Sequence, residues 1–299
     1  MATDTVLPAP TAPPGPLTAF WRAFRENRGA TIGLAVVAII VFMAVFANFL
    51  SPHDPLEQFR GFSKLKPFWM GGSDPRFLLG TDAVGRDMLS RIMFGARVSL
   101  FIGLAVMAVS MVFGIALGLA AAWFGGIVDV IILRIMDLIL SIPSLVLAIL
   151  IIAVIGPNLT NTIVAVTIVG LPFYVRLMRA SALTELTKDY VTASKVAGVK
   201  PLRMMLVTVL PNCLAPLIVQ AALGISDAIL AAAGLGFLGL GAQPPMPEWG
   251  AMLADSREFI TAAPWIMAFP GIAILITVLS INLMGDGLRD ALDPRLRRS

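Results

Sequence analysis

Residues 29–50 form an unbroken apolar run, preceded by Trp21, Arg22, Arg25 and Arg28. The run is long enough to cross a hydrocarbon core of about 30 Å at about 1.5 Å per residue. Five more runs of this kind follow, at about 98–123, 135–156, 159–178, 213–235 and 264–285. The fourth of the six is the weakest, because its uncharged stretch stops near Val175 and contains Pro172. Backbone polar groups in lipid must be satisfied within their own segment, so runs of this length are expected to be helices. Hydrophobic residues are 58% of the chain and charged residues 13%, against about 25% charged in a soluble domain. An all-α integral membrane protein with six transmembrane helices is the expected fold class. A cleaved leader would have an apolar region of roughly 7–15 residues and a small-x-small exit. Here the exit is Ala47-Asn48-Phe49, so the first run reads as a retained anchor.

The same composition excludes several functions. A single cysteine, Cys213, leaves no intrachain disulfide framework and no cysteine-rich metal site. The single histidine, His53, leaves little for histidine-based metal binding or acid–base catalysis. The net charge of +4 is dispersed beside apolar runs, which argues against a nucleic-acid partner. Six crossings place both termini on one side. Lys and Arg assign that side to the cytoplasm: three lie in the N-terminal tail, then Arg134, six between Arg176 and Arg203, and four from Arg289 to Arg298. The bias is diluted by seven such residues in 51–97, on the outer side. Trp123 and Trp265 stand at span ends, where indoles favour the headgroup layer. The first 19 residues carry Pro8, Pro10, Pro13, Pro14 and Pro16, and residues 1–28 are expected to be a disordered cytoplasmic tail.

Gly234-Leu-Gly236-Phe237-Leu238-Gly239 matches G-x-G-x-x-G, but an apolar span precedes it and Pro244, Pro245 and Pro247 follow. A dinucleotide loop needs a strand before and a helix after, so close helix packing or a hinge is the expected role. No phosphate-cradling G-x-x-x-x-G-K-[ST] occurs, so any ATP that drives this chain is bound by another subunit. Gly114 and Gly118 allow close backbone approach, within the chain or to a partner. Arg134 and Asp137, three apart, read as a mutually neutralising pair at the interface. Asp227 has no basic residue within reach on its own helix. With Gln220, Gly224, Ala231 and Gly234 it forms a small, polar stripe that should face protein or water. Substrate contact and interhelix hydrogen bonding are both open for it. Residues 246–261 read as an amphipathic surface helix, with Trp249, Met252, Leu253, Ser256 and Ile260 on one face and Glu248, Asp255 and Glu258 elsewhere. Capping the bundle is its default role, and gating is the other.

The segment 179–210 is the most informative. Tyr190-Val191-Thr192-Ala193-Ser194-Lys195-Val196-Ala197-Gly198 is a short helix pattern closed by a glycine suited to the left-handed C′ position. Ala193, Ser194 and Ala197 make a face without bulk, suited to a groove in another protein.

At this point the sequence resembles the cytoplasmic coupling motif of binding-protein-dependent ABC importer permeases, which runs Glu-Ala-Ala, three residues, Gly, nine residues, Ile, one residue, Leu-Pro. Thr192-Ala193-Ser194, Gly198 and Leu210-Pro211 fall at those spacings, with Thr192, Ser194 and Thr208 as departures. Leu79 through Asp87, continuing to Arg97, is similar to the entry of the second span in the peptide and nickel importer subfamily. Phe237 through Pro245, Glu248-Trp249-Gly250 and Asn282 through Pro294 are similar to its C-terminal half. Tyr190–Gly198 and Pro211–Gln220 are most similar to its dipeptide permeases.

The resemblance implies a type I ABC importer permease fold: a five-helix core, at 95–286, preceded by one N-terminal span at 29–50, a loop at 51–94, and a cytoplasmic tail at 287–299. It implies a sister permease, two ATP-binding subunits that hold ATP and Mg, and an extracytoplasmic peptide-binding protein. It implies ATPase coupling through Tyr190, Thr192, Ala193, Ser194, Ala197, Gly198, Leu210 and Pro211, with no cofactor in this chain and no covalent chemistry. Gln220 and Asp227 are the candidates for the translocation path. Nickel, glutathione or haem-like cargo are alternatives to dipeptides. A secondary transporter is the alternative of another class; it would need ion-coupling groups and usually inverted repeats. Only Asp137 and Asp227 lie deep in spans, and no repeat is visible.

Overall fold

A computed structural model describes residues 15–292. The chain runs through α1 (Pro16–Glu26), α2 (Arg28–Val45), the single turn α3 (Ala47–Leu50), a long loop, and α4 (Met88–Phe124). It continues through α5 (Gly126–Ser141), α6 (Ser144–Ile155), α7 (Leu159–Leu186) and α8 (Asp189–Val196). The turn α9 (Pro201–Arg203), a π-helical turn at Met204–Val209 and a 3₁₀ turn at Leu210–Cys213 lead into α10 (Leu214–Phe237). Last come α11 (Trp249–Ser256) and α12 (Pro264–Leu292). Among the described residues the only β pairing is an isolated bridge between Thr81 and Asp87.

Five segments are long and apolar enough to cross a membrane, and counting the bent α5–α6 pair as one span gives six. The third expected span, at 135–156, is not one helix: it comprises the end of α5 and all of α6, which meet at 95°. The cause is local. Pro143 disfavours helical geometry at the residue before it, and Ile142 is extended at φ −102°, ψ 135°. The expected disordered tail at 1–28 is corrected over its second half, because α1 is helical from Pro16. A proline in the first turn loses no helical hydrogen bond, so Pro16 starts this helix instead of breaking it. Residues 1–14 of that tail lie outside the described residues, as do 293–299 of the C-terminal tail. Residues 287–292 belong to α12, not to a tail. Pro172 does not end the fourth span, since α7 continues to Leu186.

Close packing of the long helices rests on small residues. A Cβ on Gly114 would strike Tyr174, and one on Gly118 would lie 2.7 Å from Met178 Cβ and Val175 O. The G-x-x-x-G pair thus packs α4 on α7 within this chain. Gly33 on α2 lies against the Ser280 carbonyl of α12, and Gly287 against Ala30. The main core joins α2, α4, α10, α11 and α12 through Ile40, Met88, Leu100, Ile229, Trp249 and Ile266. Elsewhere the helices present bare apolar sides, such as Ile39, Phe42, Leu138, Val154 and Leu275.

Because the long helices alternate in direction, the loops 51–87 and 238–263 gather at one end of the bundle. Arg86 there meets Asp255 at 3.6 Å, and Lys64 lies over the Phe259 ring. The opposite end holds α8, whose Lys195 lies over the Trp123 ring at the end of α4.

Candidate functional site

Three groups of residues occupy the two ends and the middle of the bundle. The first is α8. The last turn of α7 supplies Glu185, which is buried and accepts hydrogen bonds from Tyr190 Oη (2.5 Å) and Lys188 Nζ (2.6 Å). Val191 inserts into a core with Met178, Ala182, Met204, Cys213 and Leu217. One side of α8 is thereby fixed to α7. Its remaining surface is open: Thr192, Ala193 and Ala197 are exposed, Ser194 is half-buried, and Val196 is 86% exposed. Burial and the bond to Glu185 push the Tyr190 phenol up to about 12, so it stays a donor. Gly198 closes the helix at φ +75°, the left-handed conformation expected from sequence. Leu210 and Pro211 sit in the 3₁₀ turn leading to α10, with Pro211 exposed.

The second group lines a cavity of about 430 Å³ between α4, α6, α7 and α10. Gln220 and Asp227 both border it, together with Ser110, Ser144, Tyr174 and Gly224. Tyr174 Oη donates to the Gln220 carbonyl at 3.4 Å and stands where a Cβ on Gly224 would be. The polar stripe read from the sequence therefore faces this cavity, except that Gly234 does not border it. Asp227 makes no hydrogen bond or ion pair among the described residues. Tyr174, Ser110 and Ser144 were not identified from sequence; single polar residues inside apolar runs give no periodic signal. Gly224 was the one usable hint, since a glycine in mid-span signals close approach by another group. One carboxylate, one amide, one phenol and two hydroxyls give the cavity the means to hold a cation and an amide together.

The expected Arg134–Asp137 pair is corrected. Asp137 binds Arg176 on α7, and Asp129 binds Arg179 at 2.5 Å through both carboxylate oxygens. These pairs tie α5 across to α7, because both arginines lie on the side of α7 that α5 crosses. Residues 39 and 50 positions apart were not pairable from helical spacing.

The third group closes the end with the two loops. Asp82 accepts Arg86 Nε at 2.5 Å and faces Arg91 Nε at 3.5 Å, all three being buried. Glu248, placed by sequence among the polar positions of 246–261, is 2% exposed. The reason is its position: α11 starts at Trp249, so Glu248 is the N-cap and accepts the Gly250 and Ala251 amides at 2.8 and 2.7 Å. Burial pushes its carboxyl up, opposed by those amides and by the Ser99 hydroxyl. Trp249 is buried and donates from Nε1 to the Ile92 carbonyl. Of the G-x-G-x-x-G glycines, Gly236 lies against Glu248 Oε2 and the Ala251 amide, which is the packing role expected of it.

Comparison with known proteins gives a consistent result. Residues 114–298 match the family model described as "Binding-protein-dependent transport system inner membrane component". Residues 15–67 match "N-terminal TM domain of oligopeptide transport permease C". The chain is 56% identical over 286 residues to the Di/tripeptide transport system permease protein DppC of Pseudomonas aeruginosa, covering 96% of this chain and 94% of that one. It is 55% identical over 295 residues to the Dipeptide transport system permease protein DppC of Escherichia coli, covering 99% and 98%. Among solved structures, an inward-facing conformation of the MetNI methionine ABC transporter aligns with TM-score 0.56 at 21% identity, covering 69% of this chain and 98% of that one. That likeness bears on the fold alone, and the fold is the type I permease fold expected.

Proposed function

This chain belongs to the family of binding-protein-dependent transport system inner membrane components, and from that premise we propose that it is the dipeptide permease subunit of an ATP-driven importer. The dipeptide assignment draws on relatives so named at 50–56% identity over nearly the whole chain. Its partners are a sister permease, two ATP-binding subunits that hydrolyse ATP, and an extracytoplasmic peptide-binding protein. The α8 end and both termini face the cytoplasm, and the loop-closed end faces the binding protein. In this reading α8 seats its bare face, Thr192, Ala193, Ser194 and Ala197, in a cleft of an ATP-binding subunit. Tyr190 holds α8 to α7 through Glu185, Gly198 turns the chain back, and Leu210-Pro211 begins the return to α10.

The observation that carries the mechanism is the continuity of α7. One helix of 28 residues contains both Glu185, which grips α8, and Tyr174, which lines the cavity. When the ATPases close, α8 moves with them and α7 carries the displacement to Tyr174. The cavity then changes shape around Gln220 and Asp227. Asp227, an unpaired carboxylate in a span, meets the ammonium group of the peptide. An unpaired carboxylate at a span centre costs about 2.5–3.5 kcal/mol on insertion scales, which cargo or water would offset.

The test is ATP hydrolysis by the reconstituted complex with and without loaded binding protein. Gly198→Val adds about 1–2 kcal/mol of left-handed strain, and Ala193→Trp adds bulk to the seating face. Both should give membrane-inserted complex whose residual hydrolysis ignores the binding protein. Wild-type stimulation and uptake in both variants would remove the coupling role from α8.

A further inference from the structure

At the loop-closed end, residues 67–72 form a tight turn that none of the roles above uses. Pro67 is buried at its base, and the Met70 amide bonds the Pro67 carbonyl at 2.9 Å. The Phe68 amide bonds the Leu78 carbonyl at 3.1 Å, so the turn is held by backbone on both sides. From it project Phe68, Trp69 and Met70, at 59%, 54% and 37% exposure. Large apolar side chains held bare by an ordered turn mark an interaction surface. We propose that this knuckle inserts into the headgroup layer of the bilayer and anchors the outer loop to the lipid surface beside α12.

Three observations select lipid as the occupant. Trp69 packs edge-on against Phe269 at 6.0 Å between ring centroids, and Phe269 is on α12. Phe269 stands five residues past the start of α12 at Pro264, about 8 Å along the helix at 1.5 Å per residue, which puts Trp69 level with the first turns of a span. Below Phe269 the side chains of Ile272, Leu275, Ile276 and Leu279 are bare, so the knuckle continues an apolar strip of the kind acyl chains cover. Finally, Lys66 directly precedes the turn and is exposed, as an ammonium group facing lipid phosphates would be. An indole with its apolar body against a span and its N–H near water suits this layer.

The test uses the full complex in vesicles of phosphatidylcholine and phosphatidylglycerol with acyl chains brominated near the headgroup. Subtracting the emission of Trp69→Phe from that of wild type isolates Trp69 from the other tryptophans. The expected result is loss of most of that difference emission in brominated vesicles, with little quenching by aqueous iodide. A second variant, Phe68→Ser with Trp69 retained, should raise iodide quenching and weaken quenching by lipid. Strong iodide quenching with no effect of brominated lipid would overturn the proposal. So would protection from iodide that develops only when loaded binding protein is added, since that would make the knuckle a protein-docking surface. Neither substrate nor ATP is needed, so the result is separate from the transport reading.

Discussion

Gly80 and Gly198 have the same backbone angle, φ +75°, at opposite ends of the molecule, and they sit in opposite surroundings. A Cβ on Gly80 would collide with the Leu65 carbonyl oxygen and lie 3.0 Å from the Lys66 carbonyl carbon. A Cβ on Gly198 would meet nothing within 4 Å. The contrast extends to their neighbourhoods. Around Gly80 the chain buries Thr81, Asp82, Arg86, Asp87, Ser90 and Arg91 in one polar knot. Around Gly198 it exposes Thr192, Ala193, Lys195, Val196 and Ala197. At the first end, the polar knot finds its partners within this chain. The other is fixed on one side only, by Glu185 and Val191, and left bare on the side another protein would cover.

If that contrast is right, substitutions at the two ends should differ in what they damage. Asp82→Ala should do the most harm, because it leaves Arg91 buried without its ion-pair partner and Arg86 with only the longer contact to Asp255; breaking a buried pair costs about 3–5 kcal/mol. The expected outcome is a large drop in Tm of the detergent-solubilised complex. An unchanged Tm would mean the polar knot is not a stabilising unit. Gly80→Ala should follow, with about 1–3 kcal/mol of overpacking added to about 1–2 kcal/mol of left-handed strain. Gly198→Ala carries the strain alone, so its Tm should stay near wild type while stimulation of ATP hydrolysis by binding protein falls. Equal Tm losses in the two glycine variants would erase the distinction between the ends.

Glu248 sharpens the comparison through pH. Its folded carboxyl is held above the ordinary 4.5 by burial, so the folded chain keeps a proton that the unfolded chain releases. Stability from this group is therefore full below about 4.5 and is lost as pH rises through the folded value. Glu248→Gln should flatten the fall of Tm with rising pH, whereas Ala193→Trp on the bare face of α8 should leave it unchanged. The smallest effect belongs to Thr192→Ala. An exposed threonine away from any buried network should change stability by within about 0.5 kcal/mol. Coupling should also be nearly intact, since Thr192 makes no charged contact. A large loss of stimulated hydrolysis would show that its hydroxyl is read by the partner.

Much of this architecture was legible in the sequence because it depends on local rules. Apolar length marked the spans, and the helix at Tyr190–Gly198 was marked by its closing glycine and the small residues before it. The bend between α5 and α6 is also legible, in Ile142-Pro143, but the high overall hydrophobicity of 135–156 masks it. The start of α1 is hidden for a related reason: Pro16 follows a run of helix-breaking prolines, although at a first helical turn the same residue is favourable.

Sequence by itself determined which segments enter the membrane and which short helix is left bare, because burial in lipid and helix capping act over one to a few turns. Tertiary structure alone decided the partners of the charged groups and the lining of the cavity. Asp137 pairs with Arg176 and not with Arg134 because α5 crosses α7 there, and no periodicity links residues 39 apart. Tyr174 enters the cavity because Gly114 and Gly224 leave room on both sides of it, one on α4 and one on α10. Glu248 is buried because its helix begins one residue later and sits beneath Gly236. In each case the deciding distance lies between helices, and it is set by how closely their small residues let the backbones approach.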